Sequence, residues 1–151
     1  MTTLAISLLG PLGGAINGRS LVLSSSRAQA LLAYLAMNRE YPQRREALME
    51  LLWPGMPPQS AQVNLRRALY LLRQALTAED ESIADHFFLS DRQTIHLNPE
   101  ADVALDVHRF CSLLRGSPSQ EQMEDAVALY RGDFLSGFYL PDSAPFEEWA
   151  A

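Results

Sequence analysis

The sequence predicts an α+β protein in two parts, and three observations carry the prediction. Short apolar runs bounded by glycine, asparagine or aspartate open the chain and recur around 86–99, as strands do. Between them lie three stretches whose apolar residues return at helical spacing. Beyond Pro99 the strand character disappears, leaving two amphipathic segments in a strongly acidic context.

The first strand is "LAISLLG" (4–10), closed by "GPLGG". In "INGRSLVLS" (16–24) Asn17-Gly18 sits between two short apolar runs, which predicts a hairpin. A helix follows in "SSSRAQALLAYLAMN", where Ser26 and Gln29 stand at capping-box spacing ahead of Leu31, Leu35 and Met37. "RREALMELLWPG" (44–55) is a second helix, with Leu48, Leu51 and Leu52 on one side and Pro54-Gly55 ending it. The third runs from about Ser60 to Leu76, with Leu65, Ala68, Leu69, Leu72 and Leu76 as its core face. In 86–99, Phe87–Leu89 and Thr94–Leu97 flank the polar turn "SDRQ". Strands, three helices and a hairpin in that order are the layout of a winged helix-turn-helix, whose third helix enters the major groove while the hairpin lies over the backbone.

Pro99 breaks strand pairing, so the expected units are 1–98 and 99–151. In the second, "DVALDVHRFCSLLRG" (102–116) and "SQEQMEDAVALYRGDFL" (119–135) read as two helices. Their apolar stripes are Val103, Val107, Phe110, Leu114 and Met123, Ala126, Val127, Tyr130. A further helix starts at Pro145 and has made about one turn when the chain ends, which reads as a fragment boundary.

Charge separates the two parts. The net charge is −6, yet residues 27–76 carry seven arginines against Glu40, Glu46 and Glu50, while 77–151 carry four arginines against fifteen acids. Asymmetry of this kind predicts a basic surface on one unit and an acidic second unit. All twelve basic residues are arginine, whose planar fork matches phosphate and guanine edges. The lone cysteine, Cys111, rules out an intramolecular disulfide framework and reads as a small buried hydrophobe in a reducing cytoplasm. No apolar run reaches the length of a membrane span.

The third helix carries the densest candidate site. With its leucines facing the core, Gln62, Val63, Arg66, Arg67, Tyr70, Arg73 and Gln74 occupy the open side, and no acid falls between Ala61 and Leu76. A solvated face usually mixes signs to gain spaced ion pairs. Arginine forks onto guanine O6/N7 or phosphate, and glutamine pairs with adenine. Gln62, Val63, Arg66 and Arg67 are therefore expected at base edges, and Tyr70 and Arg73 at phosphates. In the hairpin (87–97), Arg92 at the tip is the residue expected on the backbone or in the minor groove. Ser25, Ser26 and Arg27 open the first helix, where capping and phosphate binding are both open readings. The alternative to a DNA reader is a winged helix that binds protein instead, which the overall acidity favours.

The same stretches resemble a known family. "LLGPLGGAINGR", "RAQALLAYLAMNRE", "ALMELLWP" and "NLRRALYLLRQAL" resemble the N-terminal half of the bacterial antibiotic-regulatory-protein class of transcription activators. "DVALDVHRF" and "ALYRGDFLSGFYLPDSAPFEEWA" resemble the activator domain that follows in that class. The resemblance implies an OmpR-type winged helix, then the first part of a bacterial transcriptional activator domain, a tetratricopeptide-like helical array cut short here. It further implies a cytoplasmic activator that binds double-stranded DNA, as a homodimer on direct repeats, and recruits RNA polymerase, with the loop Gly55–Gln59 facing the polymerase. Pro57-Pro58-Gln59-Ser60 opens the third helix where the family uses small polar caps.

No catalytic constellation emerges, and no cofactor or metal is expected. His86, His96, His108 and Cys111 have no metal-ligand spacing. Asp102 and Asp106 read as helix-start acids. Gly13-Gly14 lacks a phosphate-loop context. Trp53 reads as a core side chain that staples the second helix to the loop after it.

Overall fold

The computed structural model describes residues 2–77 and 81–151, with the side chain of Glu81 outside the description. The fold is mixed α+β, and its contacts cluster into two compact units, Met1–Ser20 with Asp102–Phe138, and Leu21–Ala101 with Tyr139–Ala151. Each unit is drawn from two stretches of chain. These packing units are composed differently from the division at 98/99 that the loss of strand pairing at Pro99 leads one to expect. The reason lies in strand pairing, because the opening strands find a partner in 102–138.

In the first unit, β1 (Leu4–Ser7), β2 (Gly13–Ile16), β3 (Arg19–Ser20) and β7 (Val103–Leu105) form a sheet of order β3-β2-β1-β7. β1 runs antiparallel to β2 and parallel to β7, with Leu4 opposite Val103 and Ile6 opposite Leu105. Leu4, Ile6 and Leu8 alternate into the core, the period of a half-buried strand. The Asn17-Gly18 turn has φ of 50° and 82°, the left-handed pair that a two-residue hairpin demands.

Four expectations for this unit are corrected. Residues 102–116 are not one helix: Val103–Leu105 is strand β7, and α5 spans only Asp106–Leu113. Sheet pairing with β1 overrides the helical spacing of Val103 and Val107. Asp106 remains a helix-start acid, and its carboxylate also accepts from the amides of Leu8 and Leu9 at 2.9–3.0 Å. The helix expected over 119–135 is α6, Gln120–Leu129, and it stops well short. Its start is a capping box: Ser119 Oγ accepts from the Gln122 amide, and Gln122 Oε1 accepts from the Ser119 amide. Of the expected stripe only Ala126 is buried, and Cys111 is exposed rather than buried.

The second unit holds the arginine-rich segment. α1 (Ser26–Met37) is buried on most sides through Ala28, Ala30, Leu31, Leu32, Ala33, Leu35 and Ala36, as a central helix must be. Its cap is shifted by one from the expected box: Ser25 Oγ accepts from the Ala28 amide, while the Gln29 side chain donates to the Leu23 carbonyl. After β4 (Gln43–Arg44) come α2 (Arg45–Leu52) and α3 (Pro58–Leu76). Pro58 stands at the start of α3, where its missing N–H costs nothing and its fixed φ is helical. Trp53 is buried at the end of α2, as expected.

A short helix not anticipated, α4 (Glu81–Phe87), takes Phe87 out of the hairpin. The hairpin is then β5 (Phe88–Ser90) and β6 (Thr94–Leu97), with β4 on the far side of β6. Phe88, Ile95 and Leu97 face inward and Leu89 outward, so the alternation fixes the register. α7 (Ala144–Ala150) packs on α2 and buries Phe146. Trp149 meets Tyr34 edge-on at 4.9 Å. Arg27 has a structural duty here: its guanidinium donates to the carbonyls of Leu52 and Pro141 and to Ser143 Oγ, and it also lines an open recess with Ser24, Ser25 and Arg67.

Candidate nucleic-acid interface

α3 is amphipathic in the strict sense. Ala61, Leu65, Ala68, Leu69, Leu72 and Leu76 are buried, and Gln62, Val63, Arg66, Arg67, Tyr70 and Gln74 are exposed. Val63 and Tyr70 are 60% and 56% exposed, a large apolar area for a face with no structural duty. The helix is fixed against α1 and α2 by its leucines, so its open side chains are carried on a rigid element.

Arg73 departs from this pattern. It is half-buried, makes a salt bridge with Asp85 of α4, and reaches the carbonyl of Phe88. The acid absent from α3 itself is thus supplied by α4, which the sequence of α3 alone does not reveal.

The hairpin tip lies beside the first half of α3. Gln62 and Arg66 of α3, Ser90, Asp91 and Arg92 of the hairpin, and Arg45 at the start of α2 line a single open cleft. Arg92, the residue expected at the tip, is exposed there. Asp91 gives the tip its shape: its carboxylate accepts from the amides of Gln93 and Thr94, each at 2.7 Å, and from Thr94 Oγ1. These amide bonds, foremost that from Gln93, hold its carboxyl below the usual carboxylate range, with Arg45 adding a smaller pull.

Arg45 is the site residue that sequence reasoning missed. Its amide donates to the Gln93 carbonyl at 2.8 Å, and its Nε donates to the Asp91 carbonyl at 2.9 Å. The signal was the "RR" at 44–45, but only the pairing of β4 with β6 brings it to the tip. Arg67 faces a different recess, with Ser24, Ser25 and Asn64. Of the expected residues, Gln62, Arg66 and Arg92 converge in one cleft; Arg67 and Arg73 do not join them.

Among the described residues, no three His, Cys, Asp or Glu side chains are grouped to hold a metal ion, and no helix is long and apolar enough to cross a membrane.

Known proteins are similar to this chain in part. No protein-family model matches the chain. The transcriptional regulatory protein EmbR of Mycobacterium bovis is 34% identical over 73 residues, covering 48% of this chain and 19% of that protein. EmbR of Mycobacterium tuberculosis matches with the same figures. The matched stretch therefore spans about a fifth of these curated relatives. A solved structure of M. tuberculosis EmbR in complex with a low affinity phosphopeptide superposes with a TM-score of 0.76 at 24% identity. That likeness covers 99% of this chain and 41% of the EmbR chain, and establishes the shared α+β fold.

Proposed function

We propose that this chain contains the DNA-binding part of a cytoplasmic transcription regulator, with no enzymatic role. Residues 1–98 are the winged-helix portion, α3 is the reading helix in the major groove, and β5–β6 is the wing. Residues 99–151 are the opening part of a helical activator domain, which contacts RNA polymerase together with the loop Gly55–Gln59, on a protein bound as a dimer to direct repeats. The observation that carries the reading is the cleft in which Gln62 and Arg66 of an acid-free helix face meet Arg92 of a hairpin tip. The name of the relatives, transcriptional regulatory protein, supports the same class.

In this reading the first half of α3 lies deepest. Gln62, Val63, Arg66 and Arg67 meet base edges, where an arginine fork on guanine confers discrimination and Val63 contacts a thymine methyl. Tyr70 and Arg73 grip phosphates further along, and Arg73 exchanges Asp85 for the phosphate as it does so. Arg92 rests on the backbone or in the minor groove beside it.

The second reading, a winged helix that binds protein, draws on the exposed Val63 and Tyr70 and on the net charge of −6. Selection of bound sites from a random duplex library, followed by titration at several salt concentrations, separates the two. DNA reading predicts a recovered consensus and a steep fall of affinity with salt, because each neutralised phosphate releases counterions. An unenriched library and salt-insensitive binding would favour the protein partner.

A further inference from the structure

We infer that Arg45 is a phosphate-binding residue set between the two DNA-contacting elements, gripping the backbone strand that passes between them. This rests on the reading above. A helix in the major groove and a hairpin tip in the neighbouring minor groove are separated by one sugar–phosphate strand, so a side chain in the gap between them meets phosphates. Arg45 stands in that gap, on neither element, lining the cleft with Gln62, Arg66 and Arg92.

Three features suit it to the task. Its Nε is anchored on the Asp91 carbonyl at 2.9 Å, and its own amide on Gln93, so the guanidinium is held in place before an anion arrives. A guanidinium carries five N–H donors, and the anchoring contact uses one. The acid in the cleft, Asp91, already gives its carboxylate to the turn amides of Gln93 and Thr94. Glu46 and Glu50 line the adjoining recess, which shares Arg45, Gln62 and Arg92 with this cleft. Because the same guanidinium holds the hairpin tip, a phosphate seated on Arg45 also fixes where Arg92 sits.

The test uses the 151-residue chain and duplexes of its selected site, each carrying one neutral methylphosphonate at a different backbone position. The parent should lose roughly tenfold in affinity at one or two adjacent positions, as a charge-assisted hydrogen bond would. Arg45→Gln keeps a donor for the Asp91 carbonyl and removes the charge. It should bind the unmodified duplex correspondingly more weakly, with a salt slope lower by about one phosphate, and be indifferent to methylphosphonate at those same positions. Arg45→Lys, which keeps the charge, should recover part of both the affinity and the sensitivity. Thermal unfolding of each variant checks that the hairpin is retained. If Arg45→Gln remains as sensitive as the parent at every position, Arg45 touches no phosphate and the assignment fails. In that case Arg66→Ala still alters site preference if the DNA reading is sound; absence of DNA binding by the parent would sink both.

Discussion

α3 buries six side chains along one face, whereas α5 buries none and α6 buries only Ala126. In sequence the two regions look alike, since both carry apolar residues at helical spacing. In the fold, Leu65 and Leu72 are almost wholly enclosed while Met123, Val127 and Tyr130 are 44%, 71% and 47% exposed. Periodicity shows which residues share a face; burial depends on an element that packs there. α3 has α1 and α2 against it, and its polar face is therefore a presented surface rather than an accident of loose packing.

The largest expected effect sharpens that contrast in stability. Leu65→Ala should cost about 2–5 kcal/mol, as removal of a fully buried leucine does, while Val127→Ala should change stability by less than about 0.5 kcal/mol. Denaturant unfolding of both variants checks it; equal costs would mean that the α6 stripe is packed as tightly as α3.

Next comes recognition. Arg66→Ala should relax preference at one base pair, losing about 1–3 kcal/mol of discrimination, and leave the fold intact. Arg92→Ala should weaken all duplexes alike and flatten the salt slope by about one phosphate. Site selection repeated with each variant distinguishes base reader from backbone contact. A changed consensus with Arg92→Ala would exchange the roles.

A smaller effect concerns Arg73. Its pairing with Asp85 is at the surface and worth about 0–1 kcal/mol, so Asp85→Asn should barely move stability. On the DNA reading it should tighten binding to all duplexes, because the guanidinium is released to phosphate. Affinities of Asp85→Asn equal to those of the parent would remove Arg73 from the interface.

The smallest is a pH effect at the hairpin tip. Asp91 has a lowered pKa in the folded state, so its contribution is fully present above the unfolded-state value and is lost as pH falls through the folded-state one. Protection of the Gln93 and Thr94 amides, measured against an unstructured peptide at the same pH, should therefore fall below the usual carboxylate range, and Asp91→Asn should remove that pH-dependent loss.

Much of this was legible in the residues. The Asn17-Gly18 hairpin, the three helices, and the open face of α3 follow from turn chemistry and apolar spacing alone. Val103–Leu105 is ambiguous in the sequence because three residues of strand satisfy a helical pattern as easily as a pleated one, and only pairing with β1 decides between them. α4 leaves little trace there because its few residues provide too little periodicity. Within the site, Gln62, Arg66 and Arg92 were reachable from pattern, whereas Arg45 depends on a strand of two residues, β4, registering against β6. Arg73 looked unopposed because Asp85 lies on another helix. Local spacing reports one element at a time, and these residues acquire their roles from two.

Whether the open face of α3 reads DNA, as proposed, is decided by a pair of titrations. Arg66→Ala and Arg67→Ala, each shown to be folded, are titrated against the selected duplex and a scrambled one at two salt concentrations. The gap between the two duplexes should narrow by about 1–3 kcal/mol in at least one variant, with the salt dependence largely retained. Variants that bind both duplexes as the parent does would make this helix a solvated face, and the DNA reading would fall.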